Sequence, residues 1–391
     1  MTELSIPEWL NQARTAGWDD RTLSLKAVEL AQQILAQAQK NSTFGEKRQA
    51  AQLARMMHDE KGKAFTLALA DRLFRPTYIK QGIEQLRYLL EGYGMPQYFS
   101  PVNRLAMKAG MFASSYAPAL VLKGIEYGLR AESAKVILPA ERNKLRAHVR
   151  KRRKEGIRLN FNQLGEAILG EEEAAHRMQQ ILDLLAEPEC DYISVKISAI
   201  CSQINLIAFE ETLAHVQERL RTLFRAAKQH AVQQPDGTKQ PKFINLDMEE
   251  YRDLHLTCEA FKRTLMEEEF LTLRAGIVLQ AYLPDSWDEQ KKLCDWAKAR
   301  VEKGGASIKL RLVKGANLAM EQVDASLHGW PQAPYTSKDD TDANYKRMLR
   351  HACMPEHAKY IDLGLATHNL FDFGYALLLA EREGASGHNE I

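Results

Sequence analysis

The chain has 391 residues, 45% of them hydrophobic and 27% charged, which is typical of a globular protein and too long for one ordinary core. Its 53 Lys and Arg residues against 51 Asp and Glu residues exclude a strong overall attraction to nucleic acid or to an anionic membrane. The five cysteines are widely spaced and include no CxxC pair. This pattern argues against a disulfide framework or a zinc cluster and suits a reducing cytoplasm.

The first part of the chain, from about Leu25 to Leu138, predicts a series of amphipathic helices. Segments such as AVELAQQILAQAQ and GIEQLRYLLEGYG place apolar residues at intervals of three and four. A basic run follows at 142–158, where nine of seventeen residues are Lys or Arg. Such a run can contact phosphates, or it can be a solvated helix and linker. No aromatic residues interleave with the charges, so we expect no nucleic-acid partner. We predict a helical domain with a basic linker at 1–150.

After Gly156 the pattern changes to short apolar runs separated by amphipathic helices. The candidate strands are IRLNFNQ (157–163), YISVKIS (192–198), FINLDM (243–248), GIVLQAY (276–282), IKLRLV (308–313) and YIDLGLAT (360–367). Helical periodicity follows several of them, and Ser286 with Glu289 has the spacing of a capping box. Strands that alternate with helices predict parallel strands joined by crossovers, so the fold class is α/β.

Polar side chains lie at or just after the carboxyl ends of the predicted strands, and they distinguish between two α/β architectures. They are Glu166, Lys196, Asp247 with Glu249, Gln280, Arg311 with Lys314, and Thr367 with His368 and Asn369. Functional groups at the carboxyl ends of many strands are typical of a barrel. A doubly wound dinucleotide fold would show GxGxxG after an early strand, and the chain has none. We predict a (β/α)8-type (TIM-like) barrel at 151–391.

The strand at 308–313 carries two basic residues in an apolar run. Alternation places Lys309, Arg311 and Val313 on one face, which we expect to point into the barrel. A buried guanidinium needs an anionic or electron-rich partner. One reading is an internal ion pair that fills the barrel, with Asp247 or Glu249 as the carboxylate. The other is a bound polar ligand with a flat ring. No second histidine or carboxylate lies at metal-ligand spacing from His368, so we predict no metal site.

Seven ordered segments strengthen the second reading, because together they resemble one family. They are NQLGEA, SVKIS, NLDMEE, VLQAYLPDS, RLVKGA, YTSKDDTDANY and ATHN. In this order they resemble the signature segments of proline dehydrogenase, and in particular the proline dehydrogenase half of the bifunctional bacterial proline-utilisation flavoproteins. The resemblance is strong over about 157–375 and loose over the helical part.

This resemblance implies an FAD-dependent barrel that oxidises L-proline to Δ1-pyrroline-5-carboxylate and passes electrons to a membrane quinone. It further implies a cytoplasmic protein, peripheral at the inner face of the membrane, and a C-terminal pyrroline-5-carboxylate dehydrogenase domain. Arg311 would lie near the reactive nitrogen of the flavin, Lys196 would meet the proline carboxylate, Asp247 would support the substrate pocket, and Glu166 would gate it. The residues implied to line the cofactor are Met248, Val278, Gln280, Arg311, Val313, Lys314, Gly315, Ala316, Thr336, Lys338, Thr341, Ala366, Thr367, His368 and Asn369.

Two features depart from the family pattern. Asn317 and Leu318 stand where several relatives have an aromatic pair, so packing over the substrate and flavin is expected to differ. Only six strand-helix units can be counted, whereas the family has eight and a later helix with two arginines for the proline carboxylate. We therefore expect an incomplete barrel with little activity of its own. A non-catalytic barrel module and an unrelated barrel enzyme for an anionic substrate remain the alternatives.

Overall fold

A computed structural model describes residues 4–73, 76, 78–133, 142–163, 168, 170–233 and 237–385. The chain divides into two compact units, one of residues 1–36 with 149–391 and one of residues 37–148. The first unit is therefore discontinuous in sequence. The predicted domain boundary near residue 150 stays a prediction.

The unit at 37–148 is helical, as the apolar periodicity predicts. Its helices are α3 (Phe44–Met57), α4 (Glu60–Arg72), α5 (Ile79–Tyr93), α6 (Pro101–Ala113) and α7 (Pro118–Ser133), with the end of α2 (Asp20–Asn41) and the start of α8 (Arg142–Lys154). Its core is formed by α4 and α5, where Phe65, Leu86 and Leu89 are fully buried. Asp59 caps α4 by accepting a hydrogen bond from the backbone N–H of Gly62 at 2.9 Å.

The unit at 1–36 and 149–391 contains a parallel sheet of six strands among the described residues. Its strands are β1 (Phe161–Asn162), β2 (Tyr192–Lys196), β5 (Phe243–Asp247), β6 (Gly276–Gln280), β7 (Ile308–Val313) and β8 (Ile361–Leu365). The remaining strands, β3 (Val232–Gln233) and β4 (Lys239–Gln240), form a small antiparallel hairpin that the sequence did not predict. In the large sheet each strand pairs with the next one along the chain. This order without a reversal is that of a β/α barrel, whereas a doubly wound sheet reverses at a switch point.

Helices follow most strands of this sheet and cover its outer face. They are α9 (Glu171–Ala186), α10 (Phe209–Gln229), α11 (Leu254–Leu265), α12 (Asp285–Glu302), α13 (Leu318–His328), α14 (Lys338–Cys353), α15 (Pro355–Ala358) and α16 (Leu370–Arg382). The amino-terminal helix α1 (Ile6–Thr15) packs against α16. Arg14 of α1 forms an ion pair with Glu381 of α16 at 2.6 Å, and Asp20 lies 2.9 Å from Arg382. Contacts between residues far apart in sequence therefore hold the first and last described helices of this unit together.

Strand β7 shows the alternation that its sequence predicts. Ile308, Leu310 and Leu312 are fully buried. On the opposite face, the Lys309 ammonium lies 5.1 Å from the ring of Tyr192 and 5.9 Å from the ring of Phe243. These rings belong to β2 and β5, which are not neighbours of β7. The sheet must therefore curve so that Lys309 and its face of β7 line a shared interior.

Two local predictions need correction. The first strand is predicted at 157–163 but is only two residues long, Phe161–Asn162. The capping box of Ser286 and Glu289 is wrong, because α12 begins at Asp285 and Pro284 occupies the N-cap position. Ser286 therefore lies inside the first turn, where it is buried.

The helices in the described part of the chain include none that could span a lipid bilayer.

A fully buried arginine stabilises the turns that enter β6 and β7. The Arg300 guanidinium donates to five backbone carbonyls, those of Leu265, Phe270, Leu271, Leu273 and Ala306. Burial lowers the pKa of Arg300 to about 10. The carbonyl dipoles replace the water that this cation gives up, so the two turns and the cation depend on each other.

We expect Arg300→Met to lower the free energy of unfolding by about 3 kcal/mol or more, because it leaves several buried carbonyls without donors. Urea unfolding followed by tryptophan fluorescence checks this, since the Trp296 ring lies 5.8 Å from the guanidinium. The control is Arg225→Met, an exposed arginine paired with Glu269, which should leave the midpoint nearly unchanged. Equal midpoints for wild type and Arg300→Met would contradict the prediction.

Candidate active site

The carboxyl ends of the parallel strands bring charged and amide side chains to one rim. Lys196, Asp247 and Gln280 are the last residues of β2, β5 and β6, and Arg311 lies two residues before the end of β7. The strand register places Lys196 beside Asp247 and Val278 beside Arg311. Parallel pairing in register therefore assembles four of the predicted site residues into one group.

The centre of this group is a charge pair between Arg311 and Asp247. Arg311 Nη2 donates to Asp247 Oδ1 across the interior, and Arg311 Nη1 lies 3.4 Å from Ser194 Oγ. Asp247 also accepts from Asn245 Nδ2 at 2.8 Å and from Asn162 Nδ2 at 3.2 Å. Both carboxylate oxygens are thus satisfied, which offsets the cost of taking the charge out of water. The two side chains remain 19% and 10% exposed, so the pair borders the mouth of the interior.

A second charge pair lies beside the first. Lys196 Nζ donates to Glu249 Oε1 at 2.6 Å, and Ser198 Oγ donates to Glu249 Oε2 at 2.8 Å. The Lys196 and Glu249 side chains are 31% and 25% exposed. An incoming carboxylate could therefore reach the ammonium, but it would compete with Glu249.

Gln280 contributes a polar group that the described residues of the protein do not satisfy. The side chain is 2% exposed, and its Oε1 has no hydrogen-bond partner among the described residues. Its Nε2 makes only long contacts of 3.4 Å to the carbonyls of Met248 and Glu249. Nε of Arg311 is likewise buried without a partner there. Native proteins rarely leave such atoms unpaired, so these two are candidate ligand contacts.

The loop after β7 holds the backbone close to the ring of Tyr282. Gly315 has φ of +130°, and a Cβ at this position would lie 2.1 Å from Tyr282 Cδ1. Only glycine fits both the conformation and the space. Its neighbours Val313 and Ala316 are half-buried and exposed, respectively.

Lys314 faces carboxylates instead of open solvent. Its Nζ lies 2.5 Å from Asp342 Oδ1 and 2.7 Å from Asp372 Oδ2. Burial would lower the pKa of Lys314, but the hydrogen bonds to these two carboxylates outweigh burial and raise it. Lys338 donates to the other oxygen of Asp342 at 2.7 Å. Lys314 and Lys338, both predicted to line a cofactor, therefore share one carboxylate at the start of α14.

The other predicted cofactor residues lie at the starts of α14 and α16. Thr336 is exposed, and Thr341 Oγ1 donates to the carbonyl of Ser337 at 3.3 Å. After β8, Ala366 and His368 are exposed, while Thr367 accepts from the backbone N–H of Asn369 at 3.0 Å. The remaining predicted residue, Glu166, lies outside the described residues.

Three residues of the group are absent from the predicted site. Asn162, Ser194 and Asn245 bind the two members of the central pair. Glu249 was considered as a partner of Arg311, but it holds Lys196 instead. Asn245 could have been predicted from the sequence, because it lies two positions before Asp247 in FINLDM and so shares its face of the strand. Asn162 and Ser194 could not, since their roles depend on which strands become neighbours in the sheet.

Comparison with known proteins agrees with this arrangement. Residues 145–390, more than half of the chain, match the family described as Proline dehydrogenase. The chain belongs to the proline dehydrogenase family. Its curated relatives include the bifunctional protein PutA of Klebsiella aerogenes and that of Escherichia coli K12, each 24% identical over 305 residues. These matches cover 74% of this chain and 21% of the relatives, so the chain spans about a fifth of their length.

Solved structures of other members have the same fold. Proline utilization A from Corynebacterium freiburgense is 42% identical, with a TM-score of 0.62 over 75% of this chain and 29% of that one. The protein from Bdellovibrio bacteriovorus, solved after inactivation by N-propargylglycine, is 27% identical, with a TM-score of 0.73 over 93% of this chain and 36% of that one. The predicted architecture, a helical region followed by a TIM-like barrel, is confirmed, as is the predicted family.

One acidic residue just beyond the rim makes stability depend on pH. Asp253 follows β5, its side chain is 4% exposed, and its Oδ1 has no hydrogen-bond partner among the described residues. Burial raises its pKa to about 6. The folded protein therefore keeps a proton that the unfolded chain has already released near pH 4. Stability falls as pH rises through this window, because the folded state binds more protons.

We expect Asp253→Asn to become more stable relative to wild type as pH rises from 4 to 7, by about 1 to 3 kcal/mol across the window. Urea unfolding at pH steps measures this difference. Asp183→Asn is the matched control, since it makes the same chemical change at an exposed position of α9. A difference between Asp253→Asn and wild type that stays constant with pH would show that Asp253 does not titrate in this range.

Proposed function

We propose that this proline dehydrogenase domain oxidises L-proline to Δ1-pyrroline-5-carboxylate with FAD, and that the electrons then pass to a quinone. The observation that carries the proposal is the Arg311 guanidinium, which Asp247 holds at the carboxyl ends of the strands. Its Nε has no partner in the part of the chain that the structure describes. Family membership supplies the reaction class, and the rim supplies groups suited to an anionic substrate and a flat polar ring.

The residues at the rim fit the isoalloxazine ring of a flavin. Its edge carries both hydrogen-bond donors and acceptors. The rim offers Gln280 Oε1 and Arg311 Nε, which find no partner in the described ranges of the chain. Gly315 allows the loop after β7 to lie against the ring of Tyr282, which fixes the position of the backbone that follows Arg311. The residues proposed to hold FAD are Met248, Val278, Gln280, Arg311, Val313, Lys314, Gly315, Ala316, Thr336, Lys338, Thr341, Ala366, Thr367, His368 and Asn369.

Arg311 is proposed to stabilise developing negative charge. Bound FAD would supply the acceptor for the hydride that leaves the ring carbon of proline, while the ring nitrogen gives up a proton and a C=N bond forms. Asp247 fixes the guanidinium before the reaction, and Asn245 and Asn162 hold Asp247 in place, so no reorganisation is needed during it. A preorganised charge in a partly dry site acts more strongly than the same charge in water.

Lys196 is proposed to bind the substrate carboxylate. Its ammonium is accessible and already held in a charge-assisted hydrogen bond with Glu249. Exchange of Glu249 for the proline carboxylate would keep one negative partner on the ammonium. The ammonium would therefore have a carboxylate partner both before and after proline binds.

The remaining parts of the proposal concern partners and location. The relatives are described as bifunctional, which supports a pyrroline-5-carboxylate dehydrogenase domain as a functional partner. A quinone acceptor implies action at the inner face of the membrane by an otherwise cytoplasmic protein. Glu166 is proposed to gate the substrate pocket.

The visible absorption spectrum of the purified protein tests the proposal. We expect flavin absorbance after supply of FAD, and bleaching of that absorbance, even if it is slow, when proline is added without oxygen. Failure to bind FAD would favour a non-catalytic barrel module. Retained flavin that proline does not bleach would favour a different substrate.

In the flavin-loaded protein, Arg311→Met should slow reduction by proline about a hundredfold, which corresponds to roughly 3 kcal/mol of lost charge stabilisation. Stopped-flow absorbance measures the rate at saturating proline. Arg274→Met is the control, because Arg274 pairs with Asp362 near the amino end of β8. Arg311→Lys should recover part of the rate, and flavin content must match wild type in all variants. An unchanged rate in Arg311→Met would remove this residue from the mechanism.

Lys196→Met should raise KM for proline about 10-fold to 100-fold and change kcat less, because a charge-assisted hydrogen bond contributes about 1.5 to 3 kcal/mol. Steady-state kinetics over a wide proline range separates the two constants. The companion variant Glu249→Gln removes the competing carboxylate and is expected to lower KM. If both variants change kcat and leave KM constant, Lys196 does not bind the carboxylate.

A further inference from the structure

Three helices on the outside of the barrel bring a thiol and two imidazoles together. Cys294 lies in α12, His351 in the last turn of α14 and His357 in α15. One ligand atom from each of the three, Cys294 Sγ and a ring nitrogen of each histidine, lies within 4.8 Å of the other two. Cys294 is buried, and the two histidines are partly buried.

The imidazole of His351 is partly buried, and one of its nitrogens finds no partner within the described part of the chain. Its Nε2 is inaccessible to solvent and has no hydrogen bond among the described residues. The ring is held firmly, with its centroid 4.2 Å from that of His357 and 5.0 Å from that of Trp287. Packing alone explains the contact of the rings, but it leaves the nitrogen unsatisfied, which costs about 1 to 3 kcal/mol. A bound cation would satisfy it.

Negative charge lies around the same group. Glu356 Oε1 is 3.9 Å from His357 Nε2, and Asp295 and Glu356 act electrostatically on His351, with Lys291 acting in the opposite sense. A carboxylate beside ligating histidines either completes the coordination or orients the rings.

We propose that Cys294, His351 and His357 bind one Zn²⁺ ion, with water or Glu356 as the fourth ligand. One thiolate and two imidazoles form a donor set that zinc prefers. Zn–S bonds of about 2.3 Å and Zn–N bonds of about 2.0–2.1 Å place tetrahedral ligands roughly 3.3–3.6 Å apart. The three groups therefore need to close by about 1 Å, which rotation about side-chain bonds can provide. The Cys294 thiol releases its proton to solvent when the ion binds.

The position of the site indicates a structural role. Helices run back from the carboxyl ends of the strands, so the last turn of α14 lies toward the amino end of the sheet, where β8 begins after α15. This is the end of a barrel that supports stability, not catalysis. The ion would join α12 to the connection between α14 and β8. The inference is independent of the proposed function.

Cobalt substitution tests the site directly. The 391-residue chain, purified without a histidine tag and stripped of metal with a chelator, is titrated with Co²⁺. We expect one equivalent to bind, with the visible bands of tetrahedral Co²⁺ and a near-ultraviolet thiolate charge-transfer band. One equivalent of Zn²⁺ should abolish both. Zn²⁺ in excess should also raise the melting temperature by about 5 °C.

Variants identify the ligands. Cys294→Ser should lose the charge-transfer band and the thermal shift, whereas Cys353→Ser, which removes a neighbouring buried cysteine of α14, should keep both. His357→Gln covers the case in which Cys294→Ser fails to fold, because glutamine keeps a polar side chain of similar size at this partly buried position. It should weaken Zn²⁺ binding at least tenfold. Absence of stoichiometric binding, or a thiolate band that persists in both Cys294→Ser and His357→Gln, would overturn the proposal.

Discussion

The ion pair between Arg311 and Asp247 is the constraint on which the six described strands of the barrel depend. Four strands contribute to it, since Asn162, Ser194 and Asn245 bind its two members. A slip of one residue in β7 would replace the guanidinium with a leucine and leave Asp247 as a buried carboxylate without a cation. Strand register, curvature and the charge at the rim are therefore fixed together. The ion pair can form only after four strands have paired in register, but its side chains then need little rearrangement.

Every charged group that the structure places at this rim already has a partner of opposite sign. Lys196 binds Glu249, Arg311 binds Asp247, and Lys314 lies between Asp342 and Asp372. An anionic ligand thus meets a surface that is nearly neutral overall and must exchange with a resident carboxylate. Such an arrangement lowers affinity for anions in general and favours those whose shape permits the exchange. Selectivity would come from geometry more than from net charge.

The sequence predicted the fold well where period and position carry the information. Alternation in β7 separated Ile308, Leu310 and Leu312 from the interior face, and apolar spacing located the helices. The prediction from sequence was wrong at Ser286, because α12 begins one residue earlier and Pro284 occupies the N-cap position. Arg311 and Lys196 were predicted from strand ends and family resemblance, whereas Asn162 and Ser194 act only through pairing. Cys294 and His351 are 57 positions apart in the sequence, so no spacing rule could have joined them.

The contact between α1 and α16 has a consequence for synthesis on the ribosome. Arg14 and Trp9 emerge early, but Glu381, the ion-pair partner of Arg14, emerges more than 360 residues later. The helical unit at 37–148 has all of its own contacts as soon as it is translated. The first helix can reach Gln33 of α2 early, but it must wait for α16 while the rest of its own unit is made. Contacts so distant in sequence form slowly, so we expect the docking of α1 on α16 to be a late step of folding.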